Sequence, residues 1–302
     1  MKCLLLVRLG FALVGSDAGA AGSAPLGFLL VEPDARSAGM AGSGSAILDG
    51  AAALSLNPSR LGASGNGEGL LTHGSLPASI NFEHIGFVHP IGVGAALRFM
   101  SYGAIQQTTI SNPTGTNIPS ERPYDAALAL GFGLPVGEWM RVGISGCAIR
   151  ESLGTVQAQG LAGDVGLSIL PHESVSLGAT IQNLGPSLKF GAATEELPRL
   201  LRMGAGYSPS VLRERLRFAV DLLQSRGDSI QGAIGGEVRL GRVAAARAGW
   251  TSRIGTGLPI SLGAGIIAGS FGLDYAYSGY GNLGDIHRVD LRWRWASPSM
   301  TK

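Results

Sequence analysis

The feature that most constrains this chain is a two-residue alternation that recurs in segment after segment from residue 66 to residue 296. Its clearest instance is the last one, His287-Arg288-Val289-Asp290-Leu291-Arg292-Trp293-Arg294-Trp295. Side chains alternate across a strand, so Val289, Leu291, Trp293 and Trp295 fall on one face and Asp290, Arg292 and Arg294 on the other. The same pattern is plain at Leu128, Leu130, Phe132 and Leu134, and at Val175, Leu177, Ala179 and Ile181. It returns at Leu216, Phe218, Val220 and Leu222, and at Ile234, Val238 and Leu240. An apolar face set against a second face requires a sheet with two different environments. A soluble sandwich and a membrane barrel both meet that requirement.

The composition of the second face separates them. A sandwich turns that face to water and fills it with Lys and Glu, whereas here it is Gly and Ala with scattered charges of both signs. Such a face suits the interior of a barrel that must accommodate something. Segments of roughly 9 to 12 residues match a tilted membrane strand. They are predicted at 66–76, 80–89, 92–102, 123–134, 138–150, 160–170, 174–184, 198–208, 214–224, 230–240, 243–251, 258–268, 270–279 and 286–296. The fold class expected is therefore all-β: a closed antiparallel transmembrane β-barrel of about 14 strands with a short N-terminal helical plug. In the second strand Ile80 and Phe82 are out of phase with Ile85 and Phe87, which predicts a β-bulge, and a further phase change is expected near Ala148-Ile149-Arg150.

The links support the same architecture. Short ones at Pro90-Ile91, Pro135 to Gly137, Pro171 to Glu173 and Gly241-Arg242 alternate with longer ones at Gly103 to Arg122, Glu151 to Gln159 and Gln182 to Pro198. With the mature N-terminus in the periplasm, the long links fall on the outer side, as barrels require; Ser208 to Arg213 is the one longer turn on the other side.

Domain organisation is expected as a signal peptide over 1–20, a plug segment over 21–65, the barrel over 66–296 and a tail over 297–302. Lys2 and Arg8, the apolar stretch Leu9 to Val14 and Ala18-Gly19-Ala20 carry the signal reading, with a second possible cut near Ala24. Cys3 would leave with the signal and Cys147 would remain alone, so no disulfide is expected within the mature chain. Residues 33 to 62 lack strand alternation. Gly39, Gly42 and Gly44 let backbone approach backbone, and Asn57-Pro58 ends the alanine-rich run. A phosphate loop is rejected because no Lys-Ser/Thr follows these glycines and no strand precedes them.

The run Ala35-Arg36-Ser37-Ala38-Gly39-Met40-Ala41-Gly42, with Asp49 to Ala53 and Asn57-Pro58-Ser59-Arg60-Leu61 after it, resembles the N-terminal signature of the PorV/PorQ family of outer-membrane proteins, relatives of the FadL-type transporters. Leu273-Asp274-Tyr275-Ala276-Tyr277 and Gly284-Asp285-Ile286-His287-Arg288-Val289 are similar to that family's C-terminal end. The resemblance implies that Arg36, Gly39, Met40, Gly42, Asn57 and Pro58 form a plug inside the barrel. It implies bacterial outer-membrane localisation, with membrane lipid and the barrel assembly machinery as partners. It offers two roles: passage of hydrophobic compounds, with a hydrophobic ligand, or partnership with proteins of a type IX-like secretion system. In FadL-type relatives a strand kink opens a lateral gap, for which the two expected phase changes are candidates. A soluble β-sandwich or adhesin is the third reading.

No enzyme chemistry assembles. His73, His84, His89, His172 and His287 lack metal-ligand spacing. Gly227-Asp228-Ser229 reads as a hairpin tip, and Gly263-Ala264-Gly265-Ile266-Ile267-Ala268 lies in a strand where a dinucleotide fingerprint would open a helix. A net charge of +2 with dispersed arginines excludes nucleic acid as a partner, and no cofactor is implied. The informative charges are those predicted to face the lumen: Arg98, Asp125, Arg141, Asp164, Arg202, Arg217, Asp221, Glu237, Arg239, Arg247, Asp274, Asp290, Arg292 and Arg294. Both signs occur, so mutual pairing and retention of the plug are expected rather than a one-signed ion path.

Overall fold

The last strand closes the sheet. In the computed structural model, Asn66 to Ser75 pair antiparallel with Ala296 to His287, joining the first strand to the last. The structure describes residues 26–154, 156–191, 193–212, 215–252, 259–279 and 284–296. The expected signal peptide, Cys3 and the tail over 297–302 lie outside these residues.

The strands are β1 (Asn66–Leu76), β2 (Ile80–Val88), β3 (Val93–Ser101), β4 (Tyr124–Val136), β5 (Met140–Leu153), β6 (Val156–His172), β7 (Val175–Leu184), β8 (Leu188–Phe190), β9 (Ala193–Glu195), β10 (Leu200–Tyr207), β11 (Leu216–Ser225), β12 (Gln231–Leu240), β13 (Ala244–Thr251), β14 (Ile260–Ala268), β15 (Phe271–Gly279) and β16 (Asp285–Ala296). All but β8 and β9 form one closed barrel of 14 strands, each antiparallel to its neighbours, and β8 and β9 make a separate hairpin within the β7–β10 connection. Closure leaves no sheet edge unpaired, which is what a sheet immersed in lipid needs, where an unsatisfied backbone group costs several kcal/mol. The soluble sandwich is thereby excluded.

Alternation sorts the side chains as lipid requires. Leu128, Leu130, Ile144, Val220, Leu222, Ile234, Leu273, Val289, Leu291 and Trp293 point out of the barrel and are exposed on the isolated chain. Aromatic residues collect at both rims, as amphipathic rings do at membrane–water boundaries. At the short-turn rim Trp293 lies 4.9 Å from Trp295, and Trp295 lies 5.6 Å from Phe87; at the other rim Phe99 stacks on Tyr124 at 5.6 Å.

Three expectations are corrected. First, β2 carries no bulge, because its pairing with β1 and β3 runs without a register break. Phe82 instead takes the lumen phase with His84 and is fully buried there, so the apparent phase change is a change of sidedness within a regular strand. Second, β5 is regular through Ala148-Ile149-Arg150. Ile149 is an apolar residue facing a lumen whose upper part is itself apolar, which breaks the expected outside-only rule. The real irregularities lie between β6 and β7: Gly163 pairs with Leu184 and Val165 with Ile181, so β7 holds an extra residue, and a second shift falls between Ile169 and His172. Asn183 sits at the first shift with φ 58° and its backbone N–H donates to Asp164 Oδ1 at 2.8 Å. Third, Glu151 to Gln159 is no long link. β5 runs on to Leu153 and β6 resumes at Val156, so the two strands project past their neighbours.

Candidate functional site

The lumen is filled by the N-terminal segment in two chemically different layers. The chain enters at the long-connection end as a 3-10 turn, Gly27–Leu30, and descends through helix α1 (Ala35–Gly39) and helix α2 (Ala53–Leu56). It leaves through a second 3-10 turn, Pro58–Arg60, and feeds β1 at the short-turn end. The described N-terminal end therefore lies at the rim opposite the one from which β1 starts. The helices are short because small residues and glycines interrupt them. Asp34 caps α1 by accepting from the Ser37 N–H at 2.9 Å, and Gly42 and Gly44 then turn the chain at φ 78° and 121°.

The lower layer is polar and tightly held. Arg36 makes a two-pronged contact with Glu237, Nε to Oε2 and Nη2 to Oε1, both at 2.8 Å. Arg247 joins the same carboxylate through Nε at 2.7 Å and reaches Asp274 through Nη1 at 2.6 Å, while Arg292 pairs with the other oxygen of Asp274. Arg239 stands 4.0 Å from Glu237 at the margin of this network. A residual cavity of about 40 Å³ lined by Arg36, Arg239, Arg247, Arg292 and Arg294 has room for little beyond ordered water. Each buried charge thus meets an opposite one, the condition under which burial of ions is tolerated.

Other wall charges hold plug backbone. Arg202 donates to the Gly42 carbonyl oxygen at 2.7 Å, and Asp221 accepts from the N–H groups of Gly44 at 3.1 Å and Ser45 at 3.2 Å. Asp290 accepts from the Ala35 N–H at 2.8 Å. Arg294 donates to Glu68 at 2.5 Å, and Glu68 accepts from the Ala51 N–H at 3.0 Å. Asn57 acts at the other end: its Nδ2 donates to the Ser45 and Leu167 carbonyl oxygens at 3.1 and 3.2 Å, and its Oδ1 accepts from the Ser59 hydroxyl at 2.7 Å.

Close approach explains the glycines of the inner wall. A Cβ at Gly39 would stand 3.0 Å from the Gly263 Cα, and Met40, wholly buried, lies over Gly235 and Gly249. Pro58 presses its backbone onto Gly143 and Gly133, where any side chain would collide.

Asp49 reports on this layer. Burial pushes its carboxyl up, but the Arg36 guanidinium at 3.3 Å, with Arg294, Arg217 and Arg60 beyond it, outweighs burial and holds it well below the usual carboxylate range. A carboxylate depressed in the folded state adds stability above its unfolded value near pH 4, and that stability is lost as pH falls toward the folded value. The barrel's thermal midpoint is therefore expected to fall between about pH 4 and about pH 2. Asp49→Asn should lower the midpoint at neutral pH and flatten the acid slope relative to the parent; parallel profiles for the two proteins would refute this role.

The upper layer is apolar. Leu26, Phe28 and Leu29 pack with Phe82, Met100, Ala127, Ile149, Ala158 and Ala162 of the wall, and Leu188, Phe190 and Leu197 of the β7–β10 connection close over them. Cys147, a free thiol, packs against this cluster. The predicted lumen residue Arg98 faces this layer and donates to the Leu29 carbonyl oxygen at 2.7 Å, the polar tie on the 3-10 turn. Asp125 accepts from the Tyr102 hydroxyl, and Asp164 from the Ser145 hydroxyl at 2.8 Å as well as from Asn183.

Of the predicted charges, Arg202, Asp221, Glu237 and Asp290 clamp the plug, Arg239, Arg247, Asp274, Arg292 and Arg294 complete its network, Arg217 stands near Asp49 and Arg141 near Arg60, and Arg98, Asp125 and Asp164 belong to the apolar layer. Sequence reading passed over Glu68, which sits between Gly67 and Gly69 without apolar neighbours to mark its face. It also passed over the apolar layer, whose Phe82, Met100 and Ile149 look like lipid-facing residues until the phase of each strand is known.

A closed 14-strand barrel with an apolar outer belt and an N-terminal segment in its lumen defines a plugged outer-membrane β-barrel. Solved structures with this fold include the CymD monoaromatic hydrocarbon channel, at 14% identity and TM-score 0.60 over 89% of this chain and 98% of that one. The Ralstonia pickettii toluene transporter TbuX matches at 15% identity and TM-score 0.57, over 86% and 97% of the two chains. A Pseudomonas aeruginosa FadL homologue matches at 11% identity and TM-score 0.59, over 87% and 98%. The chain therefore shares the barrel of FadL-type channels at near-complete coverage. No sequence-family model and no curated protein matches the chain by sequence.

Proposed function

We propose that this protein passes small hydrophobic compounds across the outer membrane, without covalent chemistry. The observation that carries the reading is the apolar layer at the long-connection end of the lumen, roofed by β8–β9 and filled by Leu26, Phe28 and Leu29. Those side chains occupy the space a hydrophobic solute would take. The plug beneath them is fastened by buried ion pairs, whereas the 3-10 turn is tied to the wall chiefly by apolar contact and by Arg98. A solute entering this layer would cover the wall's apolar surface in place of the turn, and its own burial would offset part of the cost of moving Leu26, Phe28 and Leu29 out. The structures that share this barrel include a monoaromatic hydrocarbon channel and a toluene transporter, which supports the same substrate class.

Within this class, the motifs around Arg36 and Asn57 favour a PorV/PorQ-type protein. Co-purification of secretion-system proteins from membranes tests the role that resemblance carries beside transport.

Uptake of a radiolabelled monoaromatic hydrocarbon into liposomes bearing the protein tests passage. Uptake faster than into empty liposomes is expected, and equal rates would count against transport. Phe190→Asp places a charge in the apolar layer, where an unpaired carboxylate costs several kcal/mol, and should slow uptake by about tenfold or more while leaving the barrel heat-modifiable.

A further inference from the structure

One row of the inner wall carries a charge pattern that the plug does not use. Register aligns Phe82, Met100, Asp125, Glu151 and Ala158 side by side across β2 to β6. All five are buried in the lumen; Asp125 is 1% exposed and Glu151 9%. Directly opposed residues on neighbouring antiparallel strands hold their Cβ atoms about 5 Å apart, and like charges so placed repel. Ala127 and Ile149, one step further into the lumen on the same two strands, extend the apolar surround, and Phe190 belongs to the same cluster.

Elsewhere in the lumen Glu237, Asp274, Asp221 and Glu68 are each neutralised by an arginine, while Asp290 accepts from the plug N–H of Ala35 and Asp164 from Ser145 and Asn183. Among the described residues no ion pair reaches Asp125 or Glu151. Tyr102 donates to Asp125 Oδ2, but Asp125 Oδ1 and Glu151 Oε2 are buried without a hydrogen-bond partner. The cations within reach are otherwise engaged or turned away. Arg98, one row deeper, is bound to the Leu29 carbonyl oxygen; Arg150 faces outward to Gln157; and Lys189 is exposed on β8. Glu195 of β9 adds a further negative charge near Glu151.

We infer that Asp125 and Glu151 form a cation subsite for the head of an amphipathic ligand, specifically a protonated amine on an aromatic or aliphatic body. The inference rests on the transport reading and specifies its substrate class. An ammonium group offers three donors and one positive charge, matching two unpartnered carboxylate oxygens, while Met100, Ala127, Ile149 and Phe190 suit the apolar body. A metal ion fits less well, since among the described residues no three carboxylates, histidines or cysteines gather. A carboxylate-headed ligand would be repelled.

The test uses the full-length protein in detergent and three short probes: 2-phenylethylamine, 2-phenylethanol and 3-phenylpropanoate, with binding followed by calorimetry near neutral pH. The amine is expected to bind about tenfold or more tighter than the alcohol, the gain of a charge-assisted hydrogen bond, and the carboxylate weakest. Glu151→Gln and Asp125→Asn should remove the preference for the amine, so that amine and alcohol bind each variant within about twofold of one another. Because Glu151→Gln relieves repulsion, it should also fold and raise the thermal midpoint. Equal binding of amine and alcohol by the parent protein would overturn the subsite, with the carboxyls sharing a proton, yet leave the transport reading intact. Calcium that binds alone and displaces the amine would overturn it in favour of a metal site. Failure of all three probes to bind, together with no hydrocarbon uptake, would sink the transport reading itself.

Discussion

Arg36→Ala is expected to release the plug while leaving the barrel closed. The substitution removes a guanidinium that satisfies both oxygens of Glu237 and approaches Asp49 at 3.3 Å, in a layer where the Arg36 and Glu237 side chains are each only 2% exposed. Breaking one partner of a buried pair leaves the other charge desolvated, at about 3–5 kcal/mol. Arg247 would retain one oxygen of Glu237, so the loss should fall toward the lower end of that range. The barrel wall keeps its backbone pairing, since no strand hydrogen bond involves this side chain. Two measurements separate the parts. Protease cleavage within residues 34–61 should rise sharply, and vesicles bearing the variant should leak small polar solutes, while the heat-dependent gel shift of the barrel persists. An intact plug in Arg36→Ala would show that backbone clamps such as Arg202–Gly42 and Asp290–Ala35 suffice. Arg36→Lys should be nearly as damaging, because an ammonium cannot span both oxygens of Glu237 in one plane.

Gly143→Val should expel the other end of the plug by steric force alone. A Cβ at Gly143 would overlap the Pro58 carbonyl and the Ser59 nitrogen, and both are backbone, which cannot rotate aside. Overpacking costs about 1–3 kcal/mol where side chains can adjust and more where they cannot. Gly146→Val is the matched control. It lies on the outward face of the same strand, and a Cβ there meets nothing within 4 Å. Valine facing lipid is favourable, so this variant should assemble at least as well as the parent. The expected contrast is a leaky, protease-sensitive plug in Gly143→Val and normal behaviour in Gly146→Val. Equal effects at the two positions would mean that the faces of β5 have been exchanged.

Much of this architecture was legible before any coordinates. A period of two with an apolar face and a Gly/Ala face is a local property, written residue by residue, and it specified a barrel and its strand count because each strand must show lipid one face and the lumen the other. The β16 stretch from Arg288 to Trp295 illustrates it: Val289, Leu291 and Trp293 face out, Arg288, Asp290 and Arg292 face in, and the strand closes on β1. The break in alternation over residues 33 to 62 likewise marked a segment that could not be wall.

Tertiary structure alone decided what the interior does. Phe82, Met100 and Ile149 obey the same alternation as lipid-facing residues, and only register shows that they point inward to an apolar layer. The bulge between β6 and β7 follows from how two strands pair, and the hydrophobic pattern of either strand alone carries no sign of it. Pairing of Arg36 with Glu237 spans 201 residues, and Asp125 meets Glu151 only because β4 and β5 align in one register of several that the pattern permits. Periodicity is a short-range signal and constrains which face a residue takes; which charges meet across that face depends on strand register and on the path of the plug, and those are set by the packing of the whole closed barrel.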